Sequence, residues 1–596
     1  MPRILLALFL FTFTVSAAAG DLLFRNARVF NGTRVLEQHD VLVHDGKIAR
    51  IGDGIAAPPG TEVVDAAGKT LLPGLIDAHS HALGGLEQAL IFGVTTELDQ
   101  FTPTAFAAAM RAEQKAGNVP ARADLFSAGT LVTAPRGHGT EYGVPIPTIT
   151  SPAEAQSFVD ARVAEGSDWI KIVYDDFKPY GVQIPTIDKE TMRAVIASAH
   201  KRGKLAVVHI GALAGARDAI DAGADGLVHL FVDRDPDPEL GAFLAQHKAF
   251  VIPTLVVLKS VTGTSGGAPL VDDARLDPYL DRQARATLKT AFPRRPGAPA
   301  VSYSAAEKTV RQLLGAHVPV LAGSDAPNPG TAHGAALHRE LELLVAAGLT
   351  PPQALAAATS VPAKAFRIDD RGRIAKDLRA DLVLVNGDPT KNITATRDIA
   401  GVWKGGVRVD RAKYAKSVAD ARAAAAKAPP GIDAKVLSDF ENGTAGAAFG
   451  STWTMSADVM VGGKSSGTVS VVDGGAAGTA KSLRVSGTID AAPPYGWFGA
   501  RWAPGAAPAQ PANLSSKKEL HFYAKGDGKP LRVMVFAQSL GMMPMIQTVT
   551  PAAEWGEFTI PWTKFGVDGS DVTGILFAGG PHPGPFAFQV DEIGLR

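Results

Sequence analysis

Between Leu71 and about Phe366 the chain repeats one pattern, a short apolar run followed by an Ala-rich amphipathic stretch, as in Leu205 to Ile210, Ala214 to Ala222 and then Gly226 to Phe231. A β-then-α order of this kind buries its apolar faces only if the strands lie parallel and the helices cover them. Eight such runs begin near residues 71, 94, 124, 169, 205, 226, 249 and 319, and eight βα units close into a ring. The pattern therefore predicts an α/β fold, a (β/α)8 TIM-like barrel over residues 71–373. On either side, residues 20–70 and 374–412 alternate apolar and polar positions between turns such as Asn31-Gly32 and Asp45-Gly46. The two flanks are expected to pair into one small β-sandwich.

Beyond the second flank, the Ala- and Lys-rich stretch Ala412 to Ala428 reads as a helix running into a linker at Pro429-Pro430-Gly431, and 413–434 is expected to connect two domains. Residues 435–596 are rich in Gly, Thr, Val and aromatics without a helical period, and predict an all-β jelly-roll. At the other end, Arg3, the apolar run Ile4 to Val15 and the small residues Ser16 to Gly20 read as an export signal over 1–19. The run is shorter than the roughly 20 residues that span a bilayer. The expectation is an exported chain, periplasmic or secreted, with no membrane span after signal removal. Its 59 Lys and Arg balance 59 Asp and Glu, so no net field gathers nucleic acid. With no cysteine in the chain, any metal must be held by histidine, carboxylate or a modified side chain.

Chemistry-bearing residues recur at the ends of the apolar runs. In Gly74-Leu-Ile-Asp-Ala-His79-Ser-His81 two histidines share one strand face and could reach one metal, although a solvent-facing pair has the same spacing. Lys171 sits inside the apolar run Trp169 to Tyr174, where an ammonium is costly to bury unless it snorkels or pairs with Asp175 or Asp176. His209 ends Leu205-Ala-Val-Val-His, His229 lies in Gly226-Leu-Val-His-Leu, and Asp325 ends Val318 to Asp325. Read singly, these are core histidines and a helix cap. Read together, they occupy the strand ends where barrel enzymes place their sites.

These residues, with Pro73-Gly-Leu-Ile-Asp-Ala-His-Ser-His, Gly93-Val-Thr-Thr, Ala322-Gly-Ser-Asp and Leu337-His-Arg-Glu-Leu-Glu, resemble the amidohydrolase superfamily over Asp21 to Val409, and within it the imidazolonepropionase-like and dipeptidase branch. The resemblance implies two divalent metal ions, with zinc suited to the His-rich set, and a small amide or peptide substrate cleaved at a C–N bond by a metal-bridging hydroxide. It implies that His79 and His81 hold one metal and His209 and His229 the other. Lys171, N6-carboxylated by CO2, would bridge them, and Asp325 would be both ligand and proton carrier. The resemblance also implies that His138, in the Gly-flanked loop Arg136-Gly-His-Gly-Thr after the third strand, contacts substrate; Tyr174 and His333 are substrate candidates by their place just beyond strand ends, and His338 reads as structural. A mononuclear cyclic amide hydrolase or deaminase, a lactonase, and an inactive barrel serving binding or assembly are the alternative readings.

The C-terminal stretches Asp439-Phe-Glu, Trp453, Val461-Gly-Gly-Lys-Ser-Ser-Gly-Thr-Val and Phe588-Gln-Val-Asp-Glu-Ile-Gly-Leu resemble the domain family of complex I intermediate-associated protein 30, a galactose-binding-like jelly-roll. That resemblance implies a carbohydrate or protein contact. Tyr495, Trp497, Trp502, Trp555 and Trp562 are available for stacking, or for the core.

Overall fold

The computed structural model describes residues 20–596 apart from 83, 118–120, 141–145, 293, 295–296, 427–435, 449–450, 459–463, 491–495, 505–510 and 541–543. The export signal, Tyr495, the Pro429-Pro430-Gly431 turn and Val461 to Gly463 lie outside the described residues.

Strands β1 (Leu22–Phe30), β2 (Val35–His44), β3 (Lys47–Gly52), β4 (Glu62–Asp65) and β5 (Lys69–Pro73) precede the barrel. The barrel strands are β6 (Leu75–Ser80), β7 (Val94–Asp99), β8 (Asp124–Ser127), β9 (Ile170–Val173), β10 (Ala206–His209), β11 (Gly226–Val228) and β12 (Phe250–Ile252). All their mutual pairings are parallel. Three further sets of backbone bonds complete the ring. Val132 links the β8 segment to β9, its N–H donating to the Lys171 carbonyl at 2.8 Å. Leu321 donates to Val251 at 2.9 Å, and Ala78 of β6 donates to Ala322 at 2.9 Å. The segment 319–326 is thus the eighth stave, between β12 and β6. All eight runs of the sequence pattern are present.

The apolar stretch starting at Leu71 is two elements. Gly74 divides it: its N–H donates to Asp381 at 2.7 Å, whereas the next N–H, of Leu75, donates to Gly93 at 3.0 Å. A Cβ at Gly74 would lie 2.2 Å from the Thr95 hydroxyl oxygen, so the crossing from one sheet to the other needs glycine. Before the crossing, β5 pairs antiparallel with β13 (Leu382–Asn386), which pairs with β14 (Ile399–Lys404). The flanks therefore form one eight-stranded sheet ordered β15-β14-β13-β5-β1-β2-β3, where β15 is Val407–Arg408 and β4 joins β1. Its far edge returns toward β13, Ile48 donating to Leu378 at 2.8 Å. Phe24 and Trp403 pack edge-to-face at 4.8 Å in its core.

Residues 411–426 form the helix expected of the Ala- and Lys-rich stretch, and it is fastened to the barrel. Arginines hold it: Arg411 donates to the Ile91 and Ile399 carbonyls at 2.8 and 2.6 Å, and Arg422 to Leu280 at 2.6 Å. Anchoring by two long polar side chains leaves no apolar stripe to read. The C-terminal domain is a two-sheet antiparallel sandwich, its strands from Glu519–Gly526 and Gly584–Leu595 in one sheet and Phe498–Trp502 and Val572–Gly579 in the other. Phe522 and Phe577 meet between the sheets at 4.9 Å. Trp453, Trp502 and Trp562 are buried in that core. Trp555 stacks under Lys525, whose Nζ lies 4.7 Å from the ring centroid.

Candidate metal centre

One cavity of about 330 Å³ opens at the C-terminal ends of the barrel strands, and His79, His81, Lys171, His209, His229 and Asp325 all line it. The alternation of each strand sends these side chains inward from β6, β9, β10, β11 and the eighth stave. Asp325 is the hub: its Oδ1 lies 3.2 Å from His79 Nε2 and 3.1 Å from His81 Nε2, and its Oδ2 lies 4.0 Å from His229 Nε2. Donor atoms of His79, His229 and Asp325 fall within 4.8 Å of one another. Asp325 and His229 both hold left-handed backbone, at φ 57° and 69°, a conformation costly for non-glycine residues and retained at functional positions.

The protonation states suit a cation. Burial lowers His79 to about 3 and pushes His209 and His229 well below their usual value, so each presents a neutral imidazole. Burial opposes the charge of Asp325, but His79, His81 and His229 outweigh it and hold the carboxyl ionised. For His81 burial is outweighed by Asp325 and Asp99, which raise its pKa. Lys171 is lowered to about 7 by burial, partly offset by Asp325 and Asp99. Its side-chain nitrogen forms no hydrogen bond or salt bridge with any described residue, and its charge weighs on His79, His209 and His229. Neutral imidazoles, a buried carboxylate whose Oδ1 has no hydrogen-bond partner and a lysine of depressed basicity together fit divalent metal.

An outer set of contacts orients these groups. Asp77 accepts from the Ser324 N–H at 2.9 Å, from its hydroxyl at 2.6 Å and from the His79 N–H at 3.1 Å, tying β6 to the eighth stave. His81 Nδ1 faces the Phe101 carbonyl at 3.3 Å, and Asp175 Oδ2 lies 3.4 Å from His209 Nε2.

Of the three substrate candidates, one lies in the cavity. His138 lines it, its ring 5.1 Å from that of His209 and 4.9 Å from Phe177. Tyr174 is not among the lining residues, because its side chain leaves the other face of the strand end and its hydroxyl donates to Asp218 at 3.2 Å. His333 is also absent from the lining: it is buried beside Glu97 at 3.2 Å, and Glu97 in turn accepts from the Ser80 hydroxyl at 2.9 Å. His338 is buried in a helix, its Nε2 2.9 Å from the Phe92 carbonyl oxygen. The sequence reading missed, among other residues of the wall, Phe177, Tyr180, Val257, Phe292, Arg294 and Asn328. Phe177 and Tyr180 could have been found by the rule that raised Tyr174, since they follow the same strand. Val257, Phe292 and Arg294 come from the long excursion between β12 and the eighth stave, where no spacing points inward.

The family model described as "Amidohydrolase family" matches residues 70–409, and that described as "Complex I intermediate-associated protein 30 (CIA30)" matches residues 439–570. An imidazolonepropionase from Deinococcus deserti is 25% identical over 423 residues, covering 63% of this chain and 92% of its own length. One from Deinococcus radiodurans is 25% identical over 407 residues, covering 64% and 90%. The crystal structure of a Xaa-Pro dipeptidase with bound methionine in the active site shares the fold, with a TM-score of 0.53 at 23% identity over 65% of this chain and 99% of that one. The first match spans more than half of the sequence, and the chain therefore belongs to the amidohydrolase family as a metal-dependent hydrolase of carbon–nitrogen bonds, joined to a C-terminal CIA30 domain.

Proposed function

We propose that the chain is an exported binuclear amidohydrolase that cleaves an amide or dipeptide bond in a small substrate. The observation that carries this reading is Lys171, a buried lysine whose side-chain nitrogen has no hydrogen-bond partner among the described residues, lining one cavity with His79, His81, His209, His229 and Asp325. N6-carboxylation by CO2 turns its cation into an anion with two donor oxygens, which suits a bridge between two cations, zinc being consistent with the imidazole set. Depressed basicity favours that chemistry, because the neutral amine is the form that reacts with CO2. His79 and His81 would hold one ion with Asp325, and His209 and His229 the other. Two such ions supply Lewis acidity, which activates water near neutral pH and polarises a scissile carbonyl.

The chain's own groups do the remainder. Asp325, kept ionised by three histidines, accepts the proton of the attacking water and returns it to the leaving nitrogen. His138 lies on the wall beside His209 and contacts the substrate, while Phe177, Tyr180 and Val257 line an apolar pocket for its side chain. A second reading, one cation held by His79, His229 and Asp325, is supported by the 4.8 Å convergence of their donor atoms and leaves Lys171 unmodified.

Metal analysis of the purified chain and of Lys171→Ala, with 13C-bicarbonate NMR of the carbamate carbon, tests the choice. Two ions per wild-type chain, a carbamate signal, and loss of both in the variant are expected. One ion per chain, unaffected by the substitution, would establish the mononuclear reading instead. Turnover of a panel of dipeptides, N-acyl amino acids and lactones then identifies the substrate class.

A further inference from the structure

The wall of the cavity farthest along the chain from the first donors is built by the helix Leu255–Val261 and by the segment that follows the helix Arg282–Lys289. Val257 and Val261 of the first helix line the cavity, and so does Phe292 of the segment. Phe292 is fixed to the end of that helix, its N–H donating to the Ser260 carbonyl at 3.2 Å. Arg294 follows on the same end. A Cβ at Gly263, which holds φ 93°, would lie 3.1 Å from Arg294 Cγ, so the glycine leaves a seat for the arginine's aliphatic stem. The guanidinium donates to the Pro299 carbonyl at 2.8 Å and makes no other hydrogen bond or ion pair among the described residues.

Arg294 lines the cavity and is exposed, so its charge stands in water at the mouth, where it costs the fold little. Apart from Lys171 and the histidines, it is the cationic side chain among the lining residues. The apolar walls offer no donor to an anionic group on a bound molecule, and the ionised Asp325 repels one. A carboxylate on the substrate is therefore directed to the mouth, where a planar guanidinium can take both its oxygens.

Resting on the amide-cleaving reading above, we propose that Arg294 sets substrate specificity by receiving a free carboxylate. The substrate is then an acylated amino acid or dipeptide whose apolar side chain lies on Val257, Val261 and Phe292 while its carboxylate reaches the mouth.

The test is calorimetric titration of the full, metal-loaded chain with phenylbutyrate and with phenylbutanol, its neutral alcohol. Neither probe carries an amide, so binding is read without turnover. Phenylbutyrate should bind at least tenfold more tightly, and added salt should shrink the preference because the arginine is exposed. Arg294→Met should abolish the preference, and Arg294→Lys should keep part of it. Equal affinity of the wild type for the two probes overturns the proposal, as does failure of both to bind. A preference unchanged in Arg294→Met belongs to the metals and overturns it too. Failure of the amide-cleaving reading looks different: the preference is present and is lost in Arg294→Met, but no amide with a free carboxylate is turned over. The carboxylate site then stands and the reaction assigned to the cavity falls.

Discussion

The Thr254 hydroxyl lies 2.7 Å from Nδ1 of His229, on a residue held at φ 48°. That strained threonine is fixed from behind, because the next two N–H groups, of Leu255 and Val256, donate to Glu340 at 2.9 and 2.8 Å. Glu340 is wholly buried, and burial raises its carboxyl to about 8. The hydroxyl therefore sets the ring so that Nε2 faces the cavity. Thr254→Val should lower metal affinity about 10- to 100-fold with the fold intact. Competition with a chelator measures it.

Asp325→Asn keeps the size of the side chain but cannot take up the proton of the attacking water. Turnover should fall about 10²- to 10⁴-fold, with the circular dichroism spectrum unchanged. Steady-state kcat on any accepted substrate reads the effect.

His338 is a stability switch remote from the cavity. Burial lowers its pKa from 6.5 to about 4. Between those values the unfolded chain takes up a proton that the folded chain refuses, so the contribution is full above pH 6.5 and is lost as pH falls toward 4. The loss approaches about 3 kcal/mol. His338→Gln should remove that part of the acid sensitivity, seen by comparing urea midpoints of variant and wild type at pH 7 and pH 5.

Asp124 joins the barrel to the flanking sheet. Its carboxylate accepts from Lys404 at 2.5 Å and Arg371 at 2.6 Å, with Arg379 at 3.0 Å. Burial opposes its ionisation, and the three cations overcome it. Asp124→Asn strands the buried Lys404 and should cost about 3–5 kcal/mol, measured by chemical denaturation.

The C-terminal domain reaches the cavity wall indirectly. Arg282 bonds Ser570 and Asp568 and lies 3.6 Å from Asp571, and its helix leads toward Phe292 and Arg294. A chain ending at Ala426 should retain its metals and keep kcat within a few fold, while KM rises about tenfold, or ~1.4 kcal/mol. Kinetics on the folded truncation decide between this and a purely separate domain.

Much of this was legible because strand-end chemistry leaves a local mark. His79, His81, His209 and Asp325 stand where apolar runs end, and Lys171 and His229 interrupt such runs. Contacts made across the fold leave no such mark. The partnership of Thr254 with His229 spans 25 positions, and that of His333 with Glu97 spans 236. Nothing in the composition around His333 separates a cavity residue from one turned behind the strand. The helix of Arg411 to Ala426 is legible in its Ala- and Lys-rich stretch, but its attachment to the barrel is not, since that lies in the long-range bonds of two arginines.

The ring closes where β6 meets the eighth stave, through Asp77 and Ser324, 247 positions apart in the chain. His79 and His81 stand on one side of that junction and Asp325 on the other. Until nearly the whole barrel has been made and brought round, the two halves of the donor set are separate, and the contact that unites them is among the least local in the molecule. Such pairings form late. Cation capture is thus a report of completed folding, and a chain stalled before residue 319 offers its four donor histidines to a metal without the carboxylate that would retain it.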